Sequence, residues 1–184
     1  MRRDDSEESV YQRLADVCQQ IYDALLDGIK KAVYFHDAAE WDHKDDPHLY
    51  FHIIRRSAIE YLKQLAPSIE DGDNDRPPMS GLIIRQPDDL IRVWHTAAQR
   101  IPKPDTHSKR DFVKQSPSGQ MPLFSVPDLS RLRGSHSNLN HVIIQWTNND
   151  HIITRYDLVR PVNIKRGAVT VEWRRPLLGG HKPA

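Results

Sequence analysis

The chain has 184 residues, of which 38% are hydrophobic and 28% are charged, and its formal net charge is +1. This length suits one large domain or two small ones, and the single cysteine, Cys18, excludes an internal disulfide framework and indicates a reducing, cytoplasmic compartment. No apolar run approaches the ~20 residues that a bilayer-spanning helix requires, and the first residues lead into no apolar signal segment, so we expect no membrane association.

Charge is divided unevenly along the chain. Residues 1–80 contain 10 Lys and Arg against 17 Asp and Glu, a formal charge of −7, whereas residues 81–184 contain 16 against 8, a formal charge of +8. A chain of this kind has an anionic and a cationic segment. These segments can bind each other, a second copy of the chain, or a charged partner.

Residues 1–66 are predicted to form an acidic helical hairpin. Its first helix has a stripe of apolar residues at steps of mostly three and four: Val10, Leu14, Val17, Cys18, Ile21, Leu25 and Ile29. A second helix is predicted to begin at Asp46 and Pro47 and to end before Pro67. The apolar stripe must be covered, either by the rest of the chain or by a second copy, and the second case predicts a homo-oligomer through these helices.

A linker and a basic α+β segment are predicted to follow. Residues 67–80 combine Pro, Gly and acidic residues, which is typical of a flexible linker. In the basic segment, 81–184, a third helix is predicted to begin at Pro87, with Asp88 and Asp89 at its positive end. This division gives two units, although the whole chain could also form a single domain.

The rest of the basic segment is predicted to contain a long loop and a sheet. Residues 102–127 contain five Pro and no periodicity, which favours a functional or disordered loop. From His141 onward, three short runs alternate apolar and polar residues and are separated by turn signals, which predicts an antiparallel meander of three or more strands. We therefore predict an α+β fold, with the helices first and the sheet last.

The first candidate site is a cationic surface on these strands. Six basic residues fall on or between them: Arg155, Arg160, Lys165, Arg166, Arg174 and Arg175. Guanidinium groups beside exposed aromatic rings suit a phosphate backbone with unstacked bases. Alternation places Trp173 on the face opposite Arg174, so the alternative is that the aromatic residues fill the core and the arginines line a solvated face. The first functional hypothesis is a non-catalytic binding or adaptor protein that binds a nucleic acid or an acidic protein partner.

The second candidate site is the cluster of His and acidic residues between His36 and His52. His48 and His52 are four residues apart, so on a helix they share a face and can hold one divalent ion, with His43 as a further candidate ligand. A bound ion would lower the pKa of a water molecule, so the alternative function is a metal-dependent hydrolase or nuclease. Arg56 on the same flank opposes metal binding, and without such an ion we expect no cofactor.

Overall fold

The computed structural model describes residues 4–42, 44–65, 82–96, 100–101, 103–104, 107–115 and 139–178. Its helices and strands follow in the order α1 (Glu7–Ala38), α2 (Pro47–Leu65), β1 (Ile83–Arg85), β2 (Asp89–His95), α3 (His107–Val113), β3 (Asn140–Asn149), β4 (Ile152–Lys165) and β5 (Ala168–Pro176). The predicted α+β class is confirmed.

The predicted helical hairpin is present as α1 and α2. The apolar stripe of α1 is buried against α2 and one face of the sheet, so it is covered within a single copy of the chain. α1 continues through Gly28 to Ala38. A Cβ at Gly28 would lie 2.6 Å from the carbonyl oxygen of Ile54, so the two helices touch backbone to backbone at this point. Asp46 caps α2, because its carboxylate accepts a hydrogen bond from the backbone N–H of Leu49 at 3.0 Å.

The five strands form one sheet in the order β1-β2-β3-β4-β5. β3, β4 and β5 are antiparallel neighbours, as the predicted meander requires. β2, however, runs parallel to β3, so the sheet is mixed and the prediction of a purely antiparallel sheet is wrong in this respect. Residues 96–139 separate these two strands, which is long enough for the crossover that a parallel pair needs.

Each face of the sheet contributes to a separate core. On the first face, strand residues such as Ile91, Val142 and Leu158 pack with α1 and α2. On the second face, strand residues including Leu90, Ile143 and Val159 pack with Phe112 and Val113 of α3. The sheet is therefore a middle layer with helices on both sides.

The predicted third helix at Pro87 is wrong, because residues 89–95 form strand β2. Ile91 and Val93 are buried in the core of the first face, whereas Leu90 and Trp94 are buried in the core of the second face. A strand that is buried on both faces shows no alternation of apolar and polar residues, and its sequence is therefore easily mistaken for a helix.

The short helix α3 lies within residues 102–127, which the sequence predicts to be a loop. Phe112 and Val113 fix it to the sheet because both are buried. The predicted linker at 67–80 and residues 116–127 of the predicted loop lie outside the described residues. Among the described helices, none combines the length and the hydropathy needed to cross a membrane.

A chain of polar side chains connects the start of α1 to the sheet. Nε and Nη2 of Arg13 donate to the two carboxylate oxygens of buried Asp89 at 3.1 and 3.2 Å. Asn140 Nδ2 donates to Asp89 at 2.8 Å, and Arg160 Nε donates to Asn140 Oδ1 at 2.7 Å. Arg160 also pairs with Asp5 at 3.4 Å. We call these five residues the α1–sheet network.

Candidate ligand-binding cavity

Two of the six predicted cationic residues, Arg160 and Arg175, pair with the acidic start of α1. Arg160 pairs with Asp5 in the α1–sheet network. Arg175 Nη1 lies 2.6 Å from a carboxylate oxygen of Glu8, and its guanidinium carbon lies 3.7 Å from the centre of the Tyr11 ring. These contacts join the anionic and cationic segments within one molecule, and both arginines therefore stabilise the packing of α1 on the sheet.

Arg155 and Arg174 share one carboxylate on the second face of the sheet. Arg174 Nη1 donates to Asp157 Oδ2 at 2.6 Å, and Arg155 Nε lies 3.9 Å from the same oxygen. Asp157 is buried, and Arg155 Nη2 also donates to the carbonyl oxygen of Thr96 at 2.9 Å. An external anion would have to displace Asp157 in order to bind both arginines.

The remaining two predicted cationic residues, Lys165 and Arg166, are exposed at the β4–β5 turn. Arg166 and Gly167 have φ angles of 50° and 80°, the positive values that a two-residue type I′ hairpin turn requires. Lys103 lies beside this turn, because its Cε is 3.6 Å from the position that a Cβ at Gly167 would occupy. We call Lys103, Lys165 and Arg166 the turn cations.

The predicted metal ligands do not converge with a third ligand in the part of the chain that is described. His48 and His52 lie exposed on α2, one turn apart, and His43 lies outside the described residues. His36 is buried in α1, where its Nδ1 donates to the carbonyl oxygen of Ala32 at 2.8 Å. The described residues contain no group of three or more His, Cys, Asp or Glu side chains that could hold a metal ion.

His48 and His52 instead line a cavity of about 750 Å³ that lies between α2 and the edge of the sheet. The cavity has mainly apolar walls, formed by Leu25, Leu49, Phe51, Ile54, Ala58, Leu82, Val93, Trp94 and Trp146. It lies where β1 is too short to cover β2, since the two strands pair only from Ile83 to Arg85. Sites for small molecules have volumes of roughly 300–1,000 Å³, so the cavity is large enough for one.

The charged side chains that line the cavity are mostly cationic among the described residues. Within that part of the chain, Arg55, Lys103 and Lys109 contribute to the lining together with three histidines and one acidic residue, Asp46. The carboxylate of Asp46 already accepts the capping hydrogen bond of α2. An excess of cations beside apolar walls, where the dielectric is low, favours a ligand with an anionic group.

His95, the last residue of β2, is held between aromatic rings in the cavity wall. Its ring centre lies 4.0 Å from that of Phe51 and 4.7 Å from that of Trp146, and its Nε2 lies 3.1 Å from Asn148 Oδ1. Burial lowers the pKa of His95 to about 4, the hydrogen bond to Asn148 partly opposes this effect, and the positive charge of Arg155 adds to it. The His95 imidazole is therefore neutral near pH 7.

The lowered pKa of His95 predicts a loss of stability in acid. The unfolded chain takes up a proton on this ring near pH 6.5, whereas the folded protein does so only near pH 4. This contribution to stability is therefore complete above pH 6.5 and is lost as the pH falls from 6.5 to 4. The loss should reach at most about 3.5 kcal/mol, because one pKa unit corresponds to about 1.4 kcal/mol.

Urea unfolding of the protein and of His95→Asn across this pH range measures the effect. Asn does not titrate, so the difference in unfolding free energy between the two proteins should shrink as the pH falls. Carboxylates that titrate in the same range affect both proteins equally. A difference that stays constant with pH would show that His95 is not protected from protonation.

Comparison of the chain with protein families, with curated proteins and with solved structures finds no match. The geometry of the cavity is therefore the basis for any functional conclusion.

The sequence prediction missed His95 and the cavity. It placed this part of the chain on a helix that begins at Pro87, where Ile91, Val93 and His95 do not share a face. On a strand, residues two apart lie on the same face, so assigning this segment to a strand is the step that would have placed His95 beside Ile91 and Val93.

Proposed function

We propose that this protein is a non-catalytic binding protein and that the cavity between α2 and the sheet is its ligand site. The proposal depends on one observation, the combination of an apolar cavity of about 750 Å³ with a cationic lining. The apolar walls suit the body of a small ligand, while Arg55, Lys103 and Lys109 suit a carboxylate or phosphate group. The ligand class is therefore a small amphipathic anion.

The chemistry of the described lining does not favour catalysis by a serine, threonine or cysteine nucleophile. The described residues that line the cavity include no Ser, Thr or Cys, so they supply no hydroxyl or thiol nucleophile. Cys18 is not among them, and burial raises the pKa of its thiol to about 12. A buried, protonated thiol also suits the reducing, cytoplasmic location that forms part of this proposal.

Isothermal titration calorimetry with a naphthalene carboxylate and the corresponding neutral naphthalene methanol tests the proposal. We expect the carboxylate to bind at least about tenfold more tightly, because a hydrogen bond to a charged group contributes about 1.5–3 kcal/mol. The double variant Lys103→Gln with Lys109→Gln should remove most of this preference.

Lys30→Gln is the matched control, since Lys30 is an exposed cation of α1 that does not line the cavity. It should leave both affinities unchanged. The proposed site would be contradicted if neither compound binds, or if both compounds bind with the same affinity. Loss of the preference in Lys30→Gln as well would show that net charge alone attracts the carboxylate.

Binding of a nucleic acid or an acidic protein stays a prediction. Fewer of the six predicted cationic residues favour it than the sequence suggests. The turn cations are exposed, whereas Arg155, Arg160, Arg174 and Arg175 are paired with carboxylates of the same chain. A polyanion surface would therefore be centred on Lys165 and Arg166. The predicted homo-oligomer and the predicted metal-dependent hydrolase also stay predictions.

A further inference from the structure

We infer that the ligand of this cavity donates a hydrogen bond to Nδ1 of His95. This inference rests on the proposed function and narrows the ligand class to an amphipathic anion that also carries an O–H or N–H group. It follows from the hydrogen bonds that join His95, in the cavity wall, to Asn148 and that join Asn148 to Tyr50 and Asp150.

The orientation of the Asn148 amide fixes the proton of His95. Asn148 Nδ2 donates to the carbonyl oxygen of Asp150 at 3.0 Å and lies 3.4 Å from the hydroxyl of Tyr50. The Tyr50 hydroxyl in turn donates to the same carbonyl oxygen at 3.0 Å. The amide nitrogen of Asn148 is therefore directed toward Asp150, and Oδ1 is the atom that faces His95.

An amide oxygen only accepts hydrogen bonds, so the proton of the neutral His95 ring is on Nε2, which donates to Asn148 Oδ1 at 3.1 Å. Nδ1 then carries a lone pair. Among the described residues, Nδ1 of His95 has no hydrogen-bond partner, and His95 is part of the cavity lining.

The surroundings keep the ring neutral, which preserves Nδ1 as an acceptor. The positive charge of Arg155 opposes a second proton, and Arg55, Lys103 and Lys109 add cations to the cavity lining. Asp46, the acidic residue that the described part of the lining contains, is already bonded to the start of α2. Burial between Phe51 and Trp146 opposes a second proton as well.

A fixed, neutral acceptor in an apolar wall discriminates between ligands. A ligand hydroxyl placed against Nδ1 gains a hydrogen bond away from water, whereas an ether oxygen in the same position faces a lone pair and leaves both acceptors without a donor. The rings of Phe51 and Trp146 hold the plane of the imidazole, and a flip of the ring within that plane would lose the hydrogen bond to Asn148.

The test compares a hydroxynaphthalene carboxylate with the methoxynaphthalene carboxylate of the same substitution pattern, by calorimetry on the whole chain. We expect the hydroxyl compound to bind at least about tenfold more tightly than the methoxy compound. If the unsubstituted carboxylate binds and the hydroxyl group brings no gain over methoxy, the inference is overturned while the proposed function stands. If none of the three compounds binds, the proposed function is overturned and the inference falls with it.

Asn148→Asp tests the role of His95 through its protonation. A carboxylate at position 148 still accepts from Nε2 but raises the pKa of the ring. Nδ1 therefore becomes a donor at a higher pH than in the unmodified protein, and the preference for the hydroxyl compound should be lost at that higher pH. Asn149→Asp adds the same charge at the neighbouring exposed residue and should keep the preference.

Nitrogen NMR of the His95 ring in the free protein gives a readout independent of any ligand. We expect a protonated Nε2 and an unprotonated Nδ1 near neutral pH, and protonation of both nitrogens at a higher pH in Asn148→Asp than in the unmodified protein. The opposite tautomer, or a doubly protonated ring in the unmodified protein, would overturn the inference.

Discussion

Replacing Arg13 with methionine should lower the free energy of unfolding by about 3 to 5 kcal/mol, because it leaves the Asp89 carboxylate buried without its charged partner. The side chain of Asp89 is only 2% exposed, and Arg13 donates to both of its oxygens. Methionine keeps much of the apolar contact that the stem of Arg13 makes, so the change removes mainly the charge. Urea unfolding followed by circular dichroism measures the effect.

The reverse substitution, Asp89→Asn, provides the matched comparison. The side chain of Arg13 is 26% exposed, so water can solvate its charge after the carboxylate is removed, and the expected loss is smaller than for Arg13→Met. The loss of unfolding free energy in the double variant should be smaller than the sum of the losses in the two single variants, because both partners of the pair are removed together. If the losses of unfolding free energy are additive, or if Asp89→Asn loses more than Arg13→Met, then the difference in burial between Asp89 and Arg13 does not control the stability of this pair.

Gly28→Ala should destabilise the protein by about 2 to 3 kcal/mol, although alanine favours an isolated helix over glycine by about 1 kcal/mol. The added Cβ would lie 2.6 Å from the carbonyl oxygen of Ile54, so α1 and α2 would have to separate. Because the two effects have opposite signs, the direction of the change alone decides between them. Thermal unfolding is sufficient to measure it.

The control for Gly28→Ala is Lys30→Ala, two residues further along the same helix at an exposed position. It changes helix propensity without approaching α2, so we expect a change within about 0.5 kcal/mol. A Gly28→Ala variant that is more stable than the unmodified protein would show that the helices do not touch at Gly28.

The helical hairpin could be predicted because its signal is local. The apolar stripe of α1 repeats over its length with the period of a helix, and Asp46 followed by Pro47 marks the start of α2. The strand β2 could not be predicted in the same way. Leu90, Ile91 and Val93 are all buried, because β2 lies between β1 and β3 and has a core on each face. This burial depends on parts of the chain that are distant in sequence.

The candidate site was predictable only in part, for a related physical reason. The sequence pattern indicates that His48 and His52 share one face of α2, but it does not indicate that Phe51, His95 and Trp146 meet opposite them. Composition reveals the cationic end of the chain, but it does not reveal that Asp5 and Glu8, near the beginning, pair with Arg160 and Arg175. Contacts over such separations are set by the topology of the sheet and leave no periodic signal.

The α1–sheet network has a consequence for folding during synthesis. Translation produces α1 and α2 first, whereas Asn140 and Arg160, which complete the network, reach the ribosome exit only after most of the chain has been made. Until then the emerging hairpin has a partly uncovered apolar stripe and unmatched acidic residues at its start. A nascent chain that stalls before β4 therefore offers chaperones an exposed hydrophobic surface, which closes when the last strands arrive.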